Sequence, residues 1–361
     1  MKFAILGTRG IPASYGGFET FAEELSTRLA ARGHAVTVYC RRQHPSPFYR
    51  GVRLVHLPTI RHKYLDTVAH TFLSSLHLLG CRQDSVLYCN AANAVFTVLP
   101  RLAGIPVALN VDGLERKRRK WNRLGRTWYA ISERLAVRCP NSVVTDAKAI
   151  QAYYLTRYGK PSQFIPYGAE TGKCPGTSGL DRLGLAPGEY FLYVSRMEPE
   201  NNALLVRQAF ERLNTARKLV LVGDAPYAPA YLAQVRDTRD PRILIPGAIY
   251  GQSYHELLSH CFAYIHATEV GGTHPALIEA MGRGCLTLYL NTTENAEVAG
   301  PAAIPFERDN LAGRLQEVLE MGEQQRKEFE TRAMEHVRAN YNWERVTDAY
   351  EELLVRLAGN R

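Results

Sequence analysis

The chain has 361 residues, of which 46% are hydrophobic, 22% are charged and 10% are aromatic. This ordinary composition excludes intrinsic disorder, collagen-like repeats and a small disulfide-stapled scaffold, and the length favours two domains. Lys and Arg total 44 against 35 for Asp and Glu, which gives a formal net charge of +9. Such a charge suits an acidic partner, such as a nucleotide, a nucleic acid or an anionic membrane, and does not choose among them.

The cysteines and the N-terminus bear on the compartment. The 7 cysteines are odd in number and form no C-x-x-C pair, so neither a zinc ribbon nor a disulfide framework is predicted. A reducing cytosol is the simplest compartment. The opening MKFAILGTRG has too short an apolar run for a secretory signal and reads as a buried first strand. No stretch reaches the roughly 18 apolar residues of a membrane span, so we expect a soluble or peripheral protein.

Short apolar runs alternate with helix-length amphipathic segments along the whole chain. One helix is predicted from the spacing of Phe18, Phe21 and Leu25 up to Gly33, and another from about Asn202 to Leu213. Strands interleaved with helices indicate parallel sheets covered by helices on both faces. The predicted strands are Lys2–Leu6, Ala35–Tyr39, Val52–His56, Ser85–Cys89, Val107–Val111, Ser142–Thr145, Tyr190–Val194, Lys218–Val222, Arg242–Ile245, Ala263–His266 and Leu286–Leu290.

The composition predicts where one domain ends and the next begins. Residues 169–188 are rich in Gly, Pro and Ser and lack periodicity, so we interpret them as a linker between a domain over 1–168 and a domain over 189–342. The tail from Trp343 is an amphipathic helix, and the pattern leaves open whether it joins the first domain over 343–361.

Glycines follow the first predicted strand at the start of the first helix. Gly7 and Gly10 end the strand, and Gly16 and Gly17 open the helix. Backbone N–H groups at such a helix start can bind an anion, so Gly16 and Gly17 are candidates for a phosphate site. The spacing does not match G-x-G-x-x-G, which disfavours a nicotinamide cofactor. A tight turn that only shapes the chain is the alternative.

The second domain repeats this arrangement with more polar residues. Arg196 follows the strand Tyr190–Val194, where its guanidinium suits phosphate oxygens, or else forms a surface ion pair with Glu198 or Glu200. The candidate ligand-binding residues after the strand ending at His266 are Gly271, Gly272, Thr273 and Glu279. The first three offer backbone donors at a helix start. Glu279 suits sugar hydroxyls, or is simply an acidic residue favoured early in a helix.

These residues carry a family resemblance. The second half resembles the nucleotide-binding domain of retaining glycosyltransferases with the GT-B fold, in which Arg196 would contact the diphosphate and Glu279 the ribose. The segments GTRGIPASYGGFET and VDGLE, with VGGTHPALIE later, resemble bacterial rhamnosyltransferases of surface polysaccharide synthesis. The resemblance implies an α/β fold of two Rossmann-like domains facing each other across a cleft.

Two positions depart from the broader glycosyltransferase pattern. A Lys is usual five residues after the Arg, where this chain has Asn201, and a Glu is usual where it has Gly271. Glu269 is then a candidate for the donor-sugar hydroxyls if the loop bends suitably. The rhamnosyltransferase-like branch shares this form, which fits a 6-deoxy sugar donor.

Three residues of the first domain are candidates for the reaction centre. Asp112 and Asp146 end predicted strands, and Tyr167 lies at the domain exit. Strand ends are typical places for α/β sites, although each residue has a structural alternative as a turn residue or a packing aromatic. Asn90 and Asn93 are weaker candidates for groups facing an acceptor.

The run ERKRRKW at 115–121 and a helical face over 61–79 suggest a membrane surface. The run contains Arg116, Lys117, Arg118, Arg119 and Lys120. The helical face carries Leu65, Val68, Phe72, Leu76 and Leu79. Basic and aromatic side chains on a helix suit anionic lipid headgroups, while a solvated face is the alternative. No recognition motif accompanies the charge, so we expect no nucleic-acid partner.

The resemblance implies a metal-independent, retaining hexosyltransferase that needs no cofactor and no metal. Its expected donor is dTDP-L-rhamnose. Its expected acceptor is a saccharide or a lipid-linked saccharide on the cytoplasmic face of the membrane. A UDP- or GDP-sugar donor is one alternative. A non-catalytic, membrane-docked protein that binds a nucleotide-sugar is another.

Overall fold

The computed structural model describes residues 1–13, 16–60, 62, 65–118, 121–225 and 228–359. The chain divides into two compact units. The first comprises Met1–Lys117, Trp121–Tyr167 and Trp343–Arg361, and the second comprises Arg118–Lys120 and Gly168–Asn342. Both are α/β units with one sheet each.

The observed strands agree closely with those expected from the apolar runs, and they add short edge strands that the pattern did not predict. In chain order they are β1 (Lys2–Leu6), β2 (Ala35–Cys40), β3 (Phe48–Tyr49), β4 (Val52–His56), β5 (Ser85–Cys89), β6 (Val107–Val111), β7 (Ser142–Thr145), β8 (Gln163–Phe164), β9 (Tyr190–Val194), β10 (Lys218–Val222), β11 (Ile243–Gly247), β12 (Ala263–His266), β13 (Thr287–Leu290) and β14 (Ile304–Phe306).

The α-helices lie between these strands, as alternating β and α segments require. In chain order they are α1 (Gly17–Ala31), α2 (Asp66–Leu79), α3 (Val98–Leu102), α4 (Arg123–Ala136), α5 (Lys148–Tyr158), α6 (Ser178–Asp181), α7 (Ala203–Glu211), α8 (Pro229–Arg236), α9 (Gln252–His260), α10 (Pro275–Gly282), α11 (Thr293–Ala299), α12 (Leu311–Glu320), α13 (Glu323–Asn340) and α14 (Trp343–Gly359). Short 3-10 segments cover Ala91–Thr97, Glu115–Lys117, Pro199–Asn201 and Gly300–Ala302. Within the described part of the chain, no helix is both long and apolar enough to cross a bilayer.

The sheet of the first unit has the order β3-β4-β2-β1-β5-β6-β7-β8. The pairings are parallel except for the antiparallel edge pair β3–β4. Strands β5 and β6 are buried along their full length. This burial explains why their sequences are continuously apolar instead of alternating, since helices cover both faces of the sheet.

Helix α14 belongs to the first unit, which settles the place of the C-terminal tail. It packs on α1, where the Tyr350 ring lies 5.1 Å from the Phe21 ring. The Ser85 hydroxyl of β5 donates to the Leu354 carbonyl at 2.9 Å. At the surface, Arg32 of α1 pairs with Glu351 of α14 at 2.6 Å. The apolar face of α14 therefore completes the cover of this sheet.

The sheet of the second unit has the order β11-β10-β9-β12-β13-β14, and its pairings are parallel. Residues 169–188, interpreted from composition as a linker, are packed into this unit. They contain α6, and both Leu180 and Leu185 are buried. The Gly179 N–H donates to the buried carboxylate of Glu256 on α9 at 2.6 Å. The glycines and prolines thus shape turns of a folded segment.

In the basic run at 115–121, the side chains that the structure describes are not an exposed row of charges. Arg116 donates through Nε to Glu133 at 3.0 Å and through Nη2 to the Tyr153 hydroxyl at 2.7 Å. Arg118 is buried, with 6% of its surface exposed. Arg119, Lys120 and the side chain of Lys117 lie outside the described residues. Two of the five predicted membrane contacts are therefore engaged within the protein.

Candidate functional site

In the second unit, the carboxyl ends of β9 and β12 lie side by side because the two strands pair, with Tyr193 opposite Ile265. Arg196 leaves the end of β9, and its side chain is 33% exposed. Its Nη1 lies 3.9 Å from Oε2 of Glu198, whose side chain is 6% exposed. The ion pair expected as an alternative therefore exists at long range, and the guanidinium keeps a solvent-facing side that suits an anionic ligand.

The turn that carries Arg196 is fixed by its neighbours. Gly223, after β10, has φ of +151°, and a Cβ there would lie 1.8 Å from the Ser195 carbonyl oxygen, so only glycine fits. The Met197 N–H donates to the Asp224 carbonyl at 3.0 Å. Asn201 donates through Nδ2 to the Arg196 carbonyl at 2.6 Å. Asn201, at the position where the sequence resemblance would place a Lys, therefore holds the turn.

A glycine loop, defined here as Gly271–Thr273, follows β12 and is buried. It leads into α10, whose first residue is Pro275. Proline suits this first helical position because its missing N–H would have no partner there. The loop and the start of α10 therefore follow the carboxyl end of β12, beside the end of β9 that leads to Arg196. The N-terminus of a helix at such a sheet edge suits phosphate, because its partial charge is positive.

Glu279 lies in the second turn of α10 and is half-buried. The Tyr254 hydroxyl of α9 donates to its Oε2 at 2.5 Å. Burial, reinforced by the Glu279 charge, raises the pKa of Tyr254 well above its usual value, so the phenol remains a donor. Tyr254 thereby orients the carboxylate. Nothing in the sequence distinguishes Tyr254 from other tyrosines, and it was missed.

Two histidines form a polar chain behind the glycine loop. His274 Nδ1 lies 2.8 Å from Asn295 Oδ1 and 3.1 Å from His266 Nε2. Asn295 donates through Nδ2 to the carbonyls of Thr268 and Leu290, both at 2.9 Å, so its Oδ1 accepts a hydrogen bond from the Nδ1–H of His274. Desolvation lowers the pKa of His274 to about 4 and that of His266 well below its usual value. Both rings are therefore neutral at pH 7.

The His274 ring also explains Gly271. A Cβ built on Gly271 would lie 2.0 Å from His274 Nε2, so the imidazole occupies the space that a side chain at 271 would need. A Glu at 271, which the sequence resemblance would lead us to expect, is thus incompatible with the observed position of the His274 ring.

Glu269 is engaged elsewhere. Its carboxylate forms an ion pair with Arg308 and accepts from Asn202 Nδ2 at 3.1 Å. Its N–H donates to the Glu200 carbonyl at 3.0 Å. The Glu269 carboxylate therefore already stabilises the loop. To bind sugar hydroxyls, as expected from the sequence, it would have to exchange these contacts.

In the first unit, the structure brings the three candidates for the reaction centre together. Val111 of β6 pairs with Thr145 of β7, so Asp112 and Asp146 leave neighbouring strands at the same level. Asp112 is half-buried, and Asp146 is fully buried. Burial raises the pKa of Tyr167 well above its usual value, and the charges of Asp112 and Asp146 add to the rise. We call these three residues the strand-end cluster.

Aromatic packing holds the strand-end cluster in place. The Tyr167 ring lies 5.2 Å from the Phe21 ring of α1, and Tyr167 is 3% exposed. Next to it, Asn110 donates through Nδ2 to the Tyr350 hydroxyl of α14. Burial raises the pKa of Tyr350 well above its usual value, and the Asp146 charge contributes. The C-terminal helix therefore supports this cluster, a role that the sequence pattern did not reveal.

Gly16 and Gly17 lie at the start of α1 as expected, with Gly16 as the N-cap. The buried carboxylate of Glu19, in the first turn, accepts the Arg9 N–H at 2.9 Å. Burial raises the pKa of Glu19 from its ordinary value. This acid takes up donors that a phosphate would need, so the helix start of the first unit is less open to an anion than that of α10.

The asparagines of the N-A-A-N segment have structural roles. Asn90 has φ of 73° and caps the following 3-10 segment by accepting the Ala92 N–H at 2.9 Å. Asn93 is fully buried and donates to the Cys89 carbonyl at 2.7 Å. Both side chains therefore form bonds to the local backbone, although the buried Oδ1 of Asn93 has no hydrogen-bond partner.

Comparisons with known proteins agree with this architecture. Residues 16–168 match the glycosyl transferase 4-like domain, and residues 188–321 match the glycosyl transferases group 1 family. None of the curated protein sequences matches the chain.

Solved structures share the fold over nearly the whole chain. HepE from Anabaena, solved in complex with UDP-glucose, has a TM-score of 0.79 at 15% identity, covering 99% of this chain and 100% of its own. Sucrose-phosphate synthase from Thermosynechococcus elongatus has a TM-score of 0.80 at 17% identity, with 100% of both chains covered. WaaG, a glycosyltransferase involved in lipopolysaccharide biosynthesis, has a TM-score of 0.71 at 16% identity, covering 97% of this chain and 99% of its own.

The fold is therefore GT-B, as the sequence resemblance implied. Within this fold the chain combines a glycosyl transferase 4-like domain with a glycosyl transferases group 1 domain.

Proposed function

We propose that the protein transfers a sugar from a nucleotide-sugar to a saccharide acceptor. The observation that carries the proposal is the sheet edge of the second unit, where half-exposed Arg196 and the glycine loop present a guanidinium and helix-start N–H groups together. A diphosphate matches both kinds of donor.

In this proposal each residue of the second unit has a part in donor binding. Arg196 and the N–H groups of Gly271, Gly272 and Thr273 hold the diphosphate and stabilise the charge that grows as the glycosidic bond breaks. Glu279, oriented by Tyr254, accepts hydrogen bonds from the ribose hydroxyls.

We propose dTDP-L-rhamnose as the donor, on the basis of the rhamnosyltransferase-like segments of the sequence. The UDP-glucose bound to HepE supports a UDP-sugar as the second candidate. The two donors differ in base and sugar, so one substrate panel separates them. The proposed acceptor is a lipid-linked saccharide of surface polysaccharide synthesis.

We further propose that transfer is retaining and needs no metal or cofactor. The acceptor hydroxyl attacks from the face that the leaving diphosphate vacates, and a diphosphate oxygen takes its proton. The new glycosidic bond forms as the sugar–phosphate bond breaks, so no protein nucleophile is required. Asp112, assisted by Asp146 and Tyr167, orients the sugar and the acceptor hydroxyl in this scheme.

The test is a turnover assay with purified protein. We expect release of dTDP from dTDP-rhamnose, with or without EDTA, to exceed release of UDP from UDP-glucose or of GDP from a GDP-sugar. Faster release of UDP would show that the donor is a UDP-sugar and not dTDP-rhamnose. Loss of activity in EDTA would contradict metal independence. Nucleotide binding without turnover, even with a lipid-linked saccharide supplied, would leave the non-catalytic binding protein as the correct alternative.

A further inference from the structure

Helix α2 buries mainly small polar side chains and exposes large apolar ones, which is unusual for a helix that covers a sheet. The residues that it buries completely include His70, Thr71, Ser74 and Ser75. The two serine hydroxyls form local hydrogen bonds: Ser74 donates to the His70 carbonyl at 2.7 Å, and the Ser75 hydroxyl lies 2.7 Å from the Tyr88 hydroxyl. A helix that only covers a sheet would bury its large apolar residues instead.

The opposite face of α2 exposes large apolar side chains. The exposed fractions are 46% for Leu65, just before the helix, 43% for Phe72, 37% for Leu73, 44% for Leu76 and 41% for Leu79. Four of these residues were expected from the sequence to share one helical face, and the structure places that face in solvent. Contiguous exposed apolar area of this kind marks an interaction surface.

The apolar surface continues onto neighbouring helices of the same unit. The Phe72 ring lies 5.9 Å from the Phe96 ring of the 3-10 segment that leads into α3. That segment also packs against α4. Leu102 of α3 is 82% exposed, and Leu124 of α4 is 79% exposed. We call the exposed faces of α2, α3 and α4 the apolar face.

The charges on the apolar face have one sign. Arg101 of α3 and both Arg123 and Arg126 of α4 are exposed. The acidic residues of these three helices are Asp66 and Glu133. Asp66 pairs with Arg41 at 2.7 Å, and Glu133, with a side chain 3% exposed, pairs with Arg116 at 3.0 Å. No exposed acid on these helices therefore offsets the arginines.

We propose that the apolar face docks the first unit on an anionic lipid bilayer. Leucine and phenylalanine side chains enter the boundary between headgroups and acyl chains, while the arginines meet lipid phosphates. A second copy of the chain would place these arginines opposite each other, which opposes self-association. The docking residues thus differ from the run at 116–120, whose Arg116 and Arg118 are engaged within the protein.

The experiment is sedimentation with vesicles of phosphatidylglycerol and phosphatidylcholine, compared with pure phosphatidylcholine. We expect the full chain to bind the anionic vesicles and to lose binding as salt rises. Leu76→Asp with Leu79→Asp should weaken binding at least about tenfold, because both side chains lose their insertion and gain repulsion. The matched control is Leu155→Asp with Val355→Asp, which changes side chains that are 52% and 39% exposed on other helices of the first unit.

A further variant separates the charge contribution. Arg123→Gln with Arg126→Gln should reduce binding and flatten its salt dependence while leaving thermal unfolding unchanged. The proposal is overturned if the wild-type chain ignores anionic vesicles, or if the leucine variant binds as the control does. It is also overturned if sedimentation equilibrium shows a wild-type dimer that the leucine variant dissociates, since the face is then a subunit interface. None of these readouts depends on the donor sugar, so failure here leaves the proposed reaction standing.

Discussion

The glycine loop of the second unit and the strand-end cluster of the first unit occupy equivalent places, at the carboxyl edge of a parallel sheet, but consist of different chemical groups. The loop offers backbone N–H groups, a helix start and the half-exposed Arg196, supported by histidines that are neutral at pH 7. The cluster consists of Asp112, a fully buried Asp146 and a buried tyrosine. The edge of the second unit therefore suits a negatively charged ligand, whereas the edge of the first unit carries acidic side chains.

We propose that the two edges have different roles in the reaction. An edge rich in N–H donors and a guanidinium stabilises a phosphate in both the ground state and the transition state. An edge of carboxylates and phenols repels phosphate and instead suits hydroxyl groups and a developing positive charge on a sugar. Substitutions at the two edges should therefore affect binding and turnover in different proportions.

The largest effect is expected at Arg196. Arg196→Ala should lower nucleotide affinity and turnover together, by about 10²–10³-fold in kcat/KM, because the guanidinium meets charge that increases in the transition state. Steady-state kinetics with isothermal titration measure both quantities. Arg196→Lys is the matched control and should retain part of the affinity, because it keeps the charge without the planar fork. Unchanged kinetics in Arg196→Ala would mean that the diphosphate lies elsewhere.

Asp112 should show the opposite proportion. Asp112→Asn should cut transfer by about 10²-fold, since a charge near the reacting centre is removed, and should leave the dissociation constant of the nucleotide nearly unchanged. The same titration and transfer assay measure this variant. Transfer at the parent rate would show that Asp112 is a turn residue, and Asp146 and Tyr167 would then become the first residues to test.

The space around Gly271 can be tested through stability. Gly271→Ala should destabilise the protein by about 1–3 kcal/mol, because its Cβ overlaps the His274 ring. His274→Ala should relieve the overlap, so the double variant should be no less stable than His274→Ala alone. Gly313→Ala in α12, where a Cβ meets nothing within 4 Å, serves as the control and should be neutral or stabilising. Equal unfolding midpoints for Gly271→Ala and the parent would contradict the overlap.

Tyr254 should tune donor affinity alone. Tyr254→Phe removes the hydrogen bond to Glu279, which should weaken nucleotide binding about fivefold, equivalent to about 1 kcal/mol. The turnover number at saturating donor should change little. A fall in turnover with unchanged affinity would place Glu279 near the reacting sugar instead of the ribose.

The effect that is smallest at neutral pH is the pH dependence of the histidine pair. The pKa of His274 is lowered from 6.5 to about 4 by desolvation, so the unfolded chain binds a proton at a higher pH than the folded chain does. The resulting contribution to stability is complete above 6.5 and is lost as the pH falls towards 4. Denaturant unfolding across this range should show a shallower decline for His274→Gln than for the parent. Parallel curves would indicate that His274 titrates normally in the folded protein.

Much of the architecture and of the loop site was predictable from sequence, for a physical reason. Some structural requirements select particular residues that are visible in the sequence. Strands with both faces covered are continuously apolar, and proline stands at the first position of α10. The positions of Arg196, Asp112 and Asp146 follow from strand ends alone.

Other features depend on which surfaces meet, and periodicity does not specify that. The spacing of Leu65, Phe72 and Leu76 predicted one apolar face, but only the packing of the small hydroxyl side chains of α2 on Tyr88 shows that this face is outward. The place of α14 and the bond from Tyr254 to Glu279 are likewise long-range contacts. Residues 169–188 resembled a linker because turns and linkers share the same amino acids.

The most direct test of the central claim is a titration of the purified chain with dTDP, UDP, GDP, ADP and NAD, monitored by isothermal calorimetry and thermal unfolding. A ligand that binds only the native state raises its stability. The account predicts that a nucleoside diphosphate, with dTDP first, binds and stabilises the parent, and that Arg196→Ala loses most of this stabilisation. Stabilisation by NAD with none by any nucleoside diphosphate would contradict it.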